Sequence, residues 1–448
     1  MQMNAKIFRA YDIRGIYPNE LNEDIAYRIA QAYTKFAAPR RVALGRDVRL
    51  SGPALFDAVV RGLTDHGVEV LDIGVVTTEM LYFATTKSDV QGGIAITASH
   101  TPREWNGMKL MREGAVPISG DTGIKEIQAL VEGGYEYRAA THGTIQKLDV
   151  ADDYLKKCLS FVDVGKVRPL TVAANAMSGP ALTFARRLPL PIRWVMVNET
   201  PDGSFPKGPP DPLRLENRKE TIELVRSSHA DLGVAWDADA DRFFLFDEEG
   251  EFVSGYFLTA FLGAYFAEKV PGAKIIHDPR LIWAIEDTVR AAGGTPLVNR
   301  VGHSFIKEHM RKEDAVFAGE MSGHYYFRDF WYADSGLIPF LILLEIISKA
   351  GKKVSELFKP YRDRYFASEE MNFQIVDKVG AMRRVEERYN DGTIEHVDGL
   401  SVAYPDWRFN LRPSNTEDLL RLVVEAKSGV VFREKLAEVQ KILTEFAG

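Results

Sequence analysis

The chain is poor in cysteine. Cys158 is the only one in 448 residues, so neither an internal disulfide nor a thiolate metal centre can be built from it. It also lacks an excess of positive charge. With 56 Lys and Arg against 63 Asp and Glu, the net charge is −7, the wrong sign for a general nucleic-acid binder. Long apolar runs are missing too. The longest charge-free apolar stretch, Phe252 to Ala267, is shorter than the roughly 20 residues of a bilayer span and reads as a buried helix. No secretory h-region is visible from Met1 to Arg14. Glycine and proline, 36 and 21 residues, are at ordinary levels, which excludes collagen-like and low-complexity chains. The expectation is a cytoplasmic protein with no membrane or nucleic-acid partner. Its 46% hydrophobic residues are ample for several cores.

Three segments share one grammar of short strand, small or polar turn, amphipathic helix and second strand. The first runs from Arg41 through Ala54–Asp65 to Gly67–Gly74. The second runs from Leu170 through Gly179–Leu188 to Ile192–Val197, and the third from Lys274 through Leu281–Ala292 to Gly294–Val298. This is βαβ patterning, in which the turn after the first strand faces a ligand crevice. Beyond Met371 the order changes to several strands, Met371–Val376, Gly399–Tyr404, Arg408–Leu411 and Leu419–Glu425, followed by one closing helix, Phe432–Phe446. The fold expected is three related α/β domains with mixed sheets (1–150, 151–254, 255–366) and a smaller C-terminal α+β domain (367–448).

Four motifs carry chemistry. Asp237-Ala-Asp-Ala-Asp-Arg242 lies between two apolar strands. Three carboxylates at alternate positions repel one another unless a cation joins them, and an all-oxygen donor set suits Mg²⁺, Mn²⁺ or Ca²⁺ rather than zinc. An EF-hand would need glycine where Arg242 stands. Thr97-Ala-Ser-His-Thr-Pro102 follows the strand Gly93–Ile96 and presents Ser99, with His100 beside it, on a tight turn. Its threonine flanks exclude the Gly-x-Ser-x-Gly elbow. Asn106-Gly107 reads as a turn that returns Lys109 towards Ser99, where an ammonium can neutralise charge or move a proton. Gly319-Glu-Met-Ser-Gly-His324 places Glu320, Ser322 and His324 at alternate positions, on one face of an extended segment, which suits sugar hydroxyls. Arg412-Pro-Ser-Asn-Thr-Glu417, with Arg421 beyond it, offers Arg412, Ser414, Asn415, Thr416 and turn amides as a phosphate cradle.

In this order, and with the opening Phe8-Arg-Ala-Tyr-Asp-Ile-Arg-Gly15, the motifs closely resemble the α-D-phosphohexomutase superfamily, in its bacterial phosphomannomutase/phosphoglucomutase branch. The resemblance covers nearly the whole chain; Thr101, where the family commonly has Asn, departs from it. It implies four domains around a central cleft and an isomerase that moves phosphate between C6 and C1 of a hexose. It further implies a phosphoserine at Ser99, one Mg²⁺ held by Ser99, Asp237, Asp239 and Asp241, and a hexose 1,6-bisphosphate intermediate and activator. The implied catalytic set is Ser99, Lys109, Arg14, Arg242, His303 and His100. The substrate set is Glu320, Ser322, His324, Arg412, Ser414, Asn415, Thr416, Arg421 and, from the third domain, Arg280. The small-molecule partner is a hexose phosphate, with mannose the preferred guess and glucose the alternative. A metal-dependent sugar-phosphate phosphatase and a non-catalytic sugar-phosphate binder are competing readings, and the oligomeric state stays unread.

Overall fold

The structure, a computed structural model, describes residues 4–414 and 419–446. The chain divides into two compact units, Met1–Val253 with Ser322–Val354, and Ser254–Met321 with Ser355–Gly448. No helix among the described residues is long and apolar enough to cross a membrane.

The first unit holds two mixed sheets built to one plan. In the first, Arg41–Arg46 lies between the parallel strands Glu69–Val75 and Gly92–Ile96, and Trp105–Arg112 adds antiparallel to Gly92–Ile96. In the second, Leu170–Asn175 lies between the parallel strands Ile192–Val197 and Leu232–Trp236, and Phe243–Phe246 adds antiparallel to Leu232–Trp236. The inner strands are apolar because both faces are covered. Leu232–Trp236 and Phe243–Phe246 are buried throughout. Helices Glu23–Ala37 and Gly52–Asp65 place Ile29, Leu55 and Val59 against Val42, Leu44, Ile94 and Ile96.

The second unit repeats the plan, with Lys274–His277 between the parallel strands Thr295–Val298 and Phe317–Gly319. Its remaining sheet is antiparallel, with the long pair Trp407–Pro413 and Leu419–Ala426 at its heart. Helices Lys378–Arg388 and Gly429–Thr444 supply Val385, Val439 and Leu443 to a core with Phe409, Leu420 and Leu422.

Three local expectations are corrected. The Gly179–Leu188 helix is only Ala181–Ala185. Asn106 and Gly107 are not a turn but belong to the strand Trp105–Arg112. There Gly107 lies so close to the strand Ile13–Ile16 that a Cβ would stand 2.1 Å from the Ile13 carbonyl oxygen. Glu320–Gly323 is a turn rather than an extended segment. Gly323 takes φ 89°, which breaks the alternation that would have put Glu320, Ser322 and His324 on one face.

Candidate active site

Both motif loops of the first unit leave the carboxyl end of the third strand of a repeat. Residues 97–104 follow Gly92–Ile96, and residues 237–242 follow Leu232–Trp236. Ser99 is buried and adopts φ 50°, a left-handed conformation that a non-glycine residue takes only when its surroundings enforce it. The enforcement is visible. The Ser99 N–H donates to Thr97 Oγ1 at 2.9 Å, and the Thr97 hydroxyl faces Asp47 Oδ2 at 2.8 Å. Arg49, fully buried, donates from Nη2 to the carbonyls of Ser99 (2.6 Å) and Thr101 (2.7 Å). From Nη1 it donates to those of Pro102 (2.7 Å) and Trp105 (2.9 Å). Its Nε is paired with Asp47 at 3.1 Å. One guanidinium thus fixes four carbonyls of the serine loop, a use of its planar fork that no lysine reproduces.

Ser99 Oγ donates to Asp237 Oδ2 at 2.8 Å and lies 3.1 Å from His100 Nδ1. Desolvation, with Arg242 and Arg14 nearby, holds His100 well below the usual imidazole range. Asp237, Asp239 and Asp241 are at most 1% exposed, and their ligand oxygens lie within 4.8 Å of one another. The small side chains of Ala238 and Ala240, with Ala240 at φ 58°, let the turn fold tightly enough for this. Lys109 sits opposite Ala95 in the sheet and reaches Asp239 Oδ2 at 2.7 Å and Asp241 Oδ2 by a short contact. Burial alone would lower its pKa, but Asp239 and Asp241 hold it above the ordinary lysine value. Asp239 also accepts from Thr78 Oγ1 at 2.7 Å. Its burial is outweighed by Lys109, so it stays below the usual carboxylate range. Asp237 is pushed the other way, well up, by burial and by its two carboxylate neighbours.

Three carboxylates therefore face two cations, Lys109 and Arg242, the latter 3.7 Å from Asp237 Oδ2. Asp239 Oδ1 and Asp241 Oδ1 are buried without a hydrogen-bond partner among the described residues. The mutual repulsion that pushes Asp237 up, and the unused oxygen acceptors, fit a hard divalent cation. Arg242 Nε donates to His324 Nε2 at 3.0 Å, and His324 Nδ1 lies 2.8 Å from Asp334. Asp241, His324 and Asp334 form a second group close enough to hold a metal. His324, however, already lends a nitrogen to Arg242, so the all-aspartate set is the better cation site. Arg14 pairs with Asp12, and its charge is stabilised chiefly by Asp12 and also by Asp239.

In the second unit Arg280 is gripped by Asp278, Nε to Oδ1 at 3.0 Å and Nη2 to Oδ2 at 2.8 Å. Its Nη1 lies 3.3 Å from Glu370 Oε2. Glu370 also meets Arg412 Nη2 at 3.1 Å and Arg421 Nη1 at 3.4 Å. The Ser414 N–H donates to the Leu419 carbonyl at 2.8 Å. Asn415 and Thr416 lie outside the described residues. Arg408 ties the Pro279 and Arg280 carbonyls to buried Glu425. Glu320 is buried and accepts from the Gly302 N–H at 3.1 Å. His303 opens the helix His303–Glu313 behind Gly302, whose φ is 132°.

Models of four domains match the chain in order. Phosphoglucomutase/phosphomannomutase alpha/beta/alpha domain I matches residues 5–138, domain II 152–250, domain III 254–365 and the C-terminal domain 370–442. The chain belongs to the phosphoglucomutase/phosphomannomutase family. It is 46% identical over 451 residues to a phosphomannomutase of Salmonella montevideo, covering 98% of each chain. It is equally identical over 448 residues to one of Escherichia coli K12, again covering 98% of each. A crystal structure of a phosphoglucomutase/phosphomannomutase family protein from Burkholderia thailandensis superposes with a TM-score of 0.89 at 31% identity, covering 99% of this chain and 98% of that one.

Within the family's four motifs, the structure brings Ser99, His100, Lys109, the three aspartates, Arg242 and His324 together in the first unit. It gathers Arg280, Arg412 and Arg421 in the second. Sequence reasoning missed Arg49, Asp47, Thr78, Asp334 and Glu370. Arg49 and Asp47 stand in Gly45-Arg-Asp-Val-Arg49, at the end of the first repeat's first strand, where the βαβ rule directs attention.

Proposed function

We propose that this phosphohexomutase interconverts mannose 6-phosphate and mannose 1-phosphate, with glucose phosphates as second substrates, through a phosphoserine at Ser99. The observation that carries the reading is the Ser99 hydroxyl, bonded to Asp237 at the rim of a buried three-carboxylate cluster with Lys109 in its midst. Asp237, Asp239, Asp241 and an oxygen of the phosphorylated serine would hold Mg²⁺, which supplies Lewis-acid polarisation of the phosphoryl group.

The residues divide the work by position. The bond from phosphorus to Ser99 Oγ breaks as one to a sugar hydroxyl oxygen forms, and that hydroxyl gives up its proton to the neutral imidazole of His100. His100, 3.1 Å from Ser99 Oγ, is in reach of that exchange. Lys109, locked between two aspartates, neutralises charge rather than taking a proton. Arg242 and Arg14 stabilise the transferring phosphoryl group. The substrate's own phosphate rests on Arg412, Arg421, Arg280 and Ser414 of the second unit. The hexose 1,6-bisphosphate formed in the first half-reaction turns over and returns its other phosphate to Ser99. Ser99→Ala tests the reading. It abolishes turnover while hexose phosphate binding persists; retained turnover refutes it. Comparing kcat/KM for mannose 1-phosphate and glucose 1-phosphate assigns the sugar.

A further inference from the structure

We propose that Glu370 is an internal anion seated in the three-arginine cradle, and that it sets the affinity and charge selectivity for the substrate's phosphate. The inference rests on the reading of Arg280, Arg412 and Arg421 as that cradle.

The sheet register creates the need for an anion. Arg412 and Arg421 stand directly opposite each other on adjacent antiparallel strands, where like charges repel. Arg280 adds a third guanidinium. Glu370 meets all three, and against the cost of burial they hold its carboxyl below the usual range. The fit is loose. Distances of 3.3, 3.1 and 3.4 Å exceed the roughly 2.7–2.9 Å of good charge-assisted bonds. Arg412 Nε, also buried, has no hydrogen-bond partner among the described residues. The guanidiniums are spaced for an anion larger than a carboxylate, with more oxygens to share.

Glu370 is also placed to leave. It lies in the irregular segment between the strands Phe366–Ala367 and Met371–Gln374, and its side chain is 22% exposed. A phosphate dianion brings more charge and a third oxygen, and displaces it. A monoanion offers no more than Glu370 already gives, so the internal carboxylate filters ligands by charge.

The test titrates the full chain with inorganic phosphate by calorimetry, and measures hexose phosphate kinetics, for wild type, Glu370→Gln and Arg421→Ala. Glu370→Gln is expected to bind phosphate about tenfold more tightly and to lower KM without a matching rise in kcat. Formate should then compete with hexose phosphate in this variant and not in wild type. Glu370→Asp, which keeps the charge but shortens its reach, should also bind phosphate more tightly than wild type and serves if Glu370→Gln does not fold. Arg421→Ala is expected to bind phosphate more weakly. Unchanged or weaker binding by the Glu370 variants, with Arg421→Ala weakened, overturns the role of Glu370 and leaves the cradle standing. Unchanged binding by Arg421→Ala overturns the cradle and this inference together.

Discussion

The proton on Glu79 ties the stability of the first unit to pH. Glu79 is 2% exposed, accepts a short hydrogen bond from Ser335, and shares its surroundings with Tyr154 and Asp334. Burial is the main cause, with Asp334 and Asp241 adding to it, of a pKa raised from 4.5 to about 8. The folded chain therefore binds this proton more tightly than the unfolded chain. The associated stability is fully present below pH 4.5 and is lost as pH rises through about 8. At about 1.4 kcal/mol per pH unit the full loss comes to about 5 kcal/mol, an order-of-magnitude figure. Glu79→Gln keeps the shape and removes the titration. Urea unfolding of both proteins across pH 5 to 9 is the assay. The stability difference between variant and wild type should shift in the variant's favour by up to about 1.4 kcal/mol per pH unit up to pH 8, then level off. A difference that does not change with pH would refute the assignment of a neutral, desolvated carboxyl.

Two further substitutions test the site. Asp239→Asn leaves Lys109 with one aspartate and removes a proposed cation ligand; kcat should fall by about 10² or more and the response to added Mg²⁺ should weaken, as read by initial rates over a metal titration. Arg49→Lys keeps the charge but cannot serve four carbonyls and Asp47 at once. Its kcat should fall by about 10², with KM for hexose phosphate little changed, because the serine moves while the phosphate cradle does not. Full activity in either variant contradicts the role given to that residue.

Legibility followed local pattern. Strand pairs such as Arg41–Arg46 with Glu69–Val75 and Leu170–Asn175 with Ile192–Val197 could be read because β-branched runs alternate with helical periods. The Asp237–Arg242 motif was readable because three carboxylates between apolar strands have few uses. The helix Lys378–Arg388 was missed because its polar face and early glycine blur its periodicity. The face expected of Glu320, Ser322 and His324 failed on one backbone angle at Gly323. The βαβ rule points to the place of Arg49, but the partners of Arg49 and Glu370 were beyond local reading. A charged residue in sequence looks solvated, and its burial against four distant carbonyls or three arginines is decided by tertiary contacts.

The central claim is that the Ser99 oxygen carries a phosphoryl group during turnover. Intact-mass analysis with peptide mapping, on enzyme incubated with a hexose 1,6-bisphosphate, tests it directly. One phosphate located on Ser99, and discharged when hexose monophosphate is added, is the predicted result. An unmodified Ser99 in actively turning-over enzyme, or a phosphate located elsewhere, would contradict it.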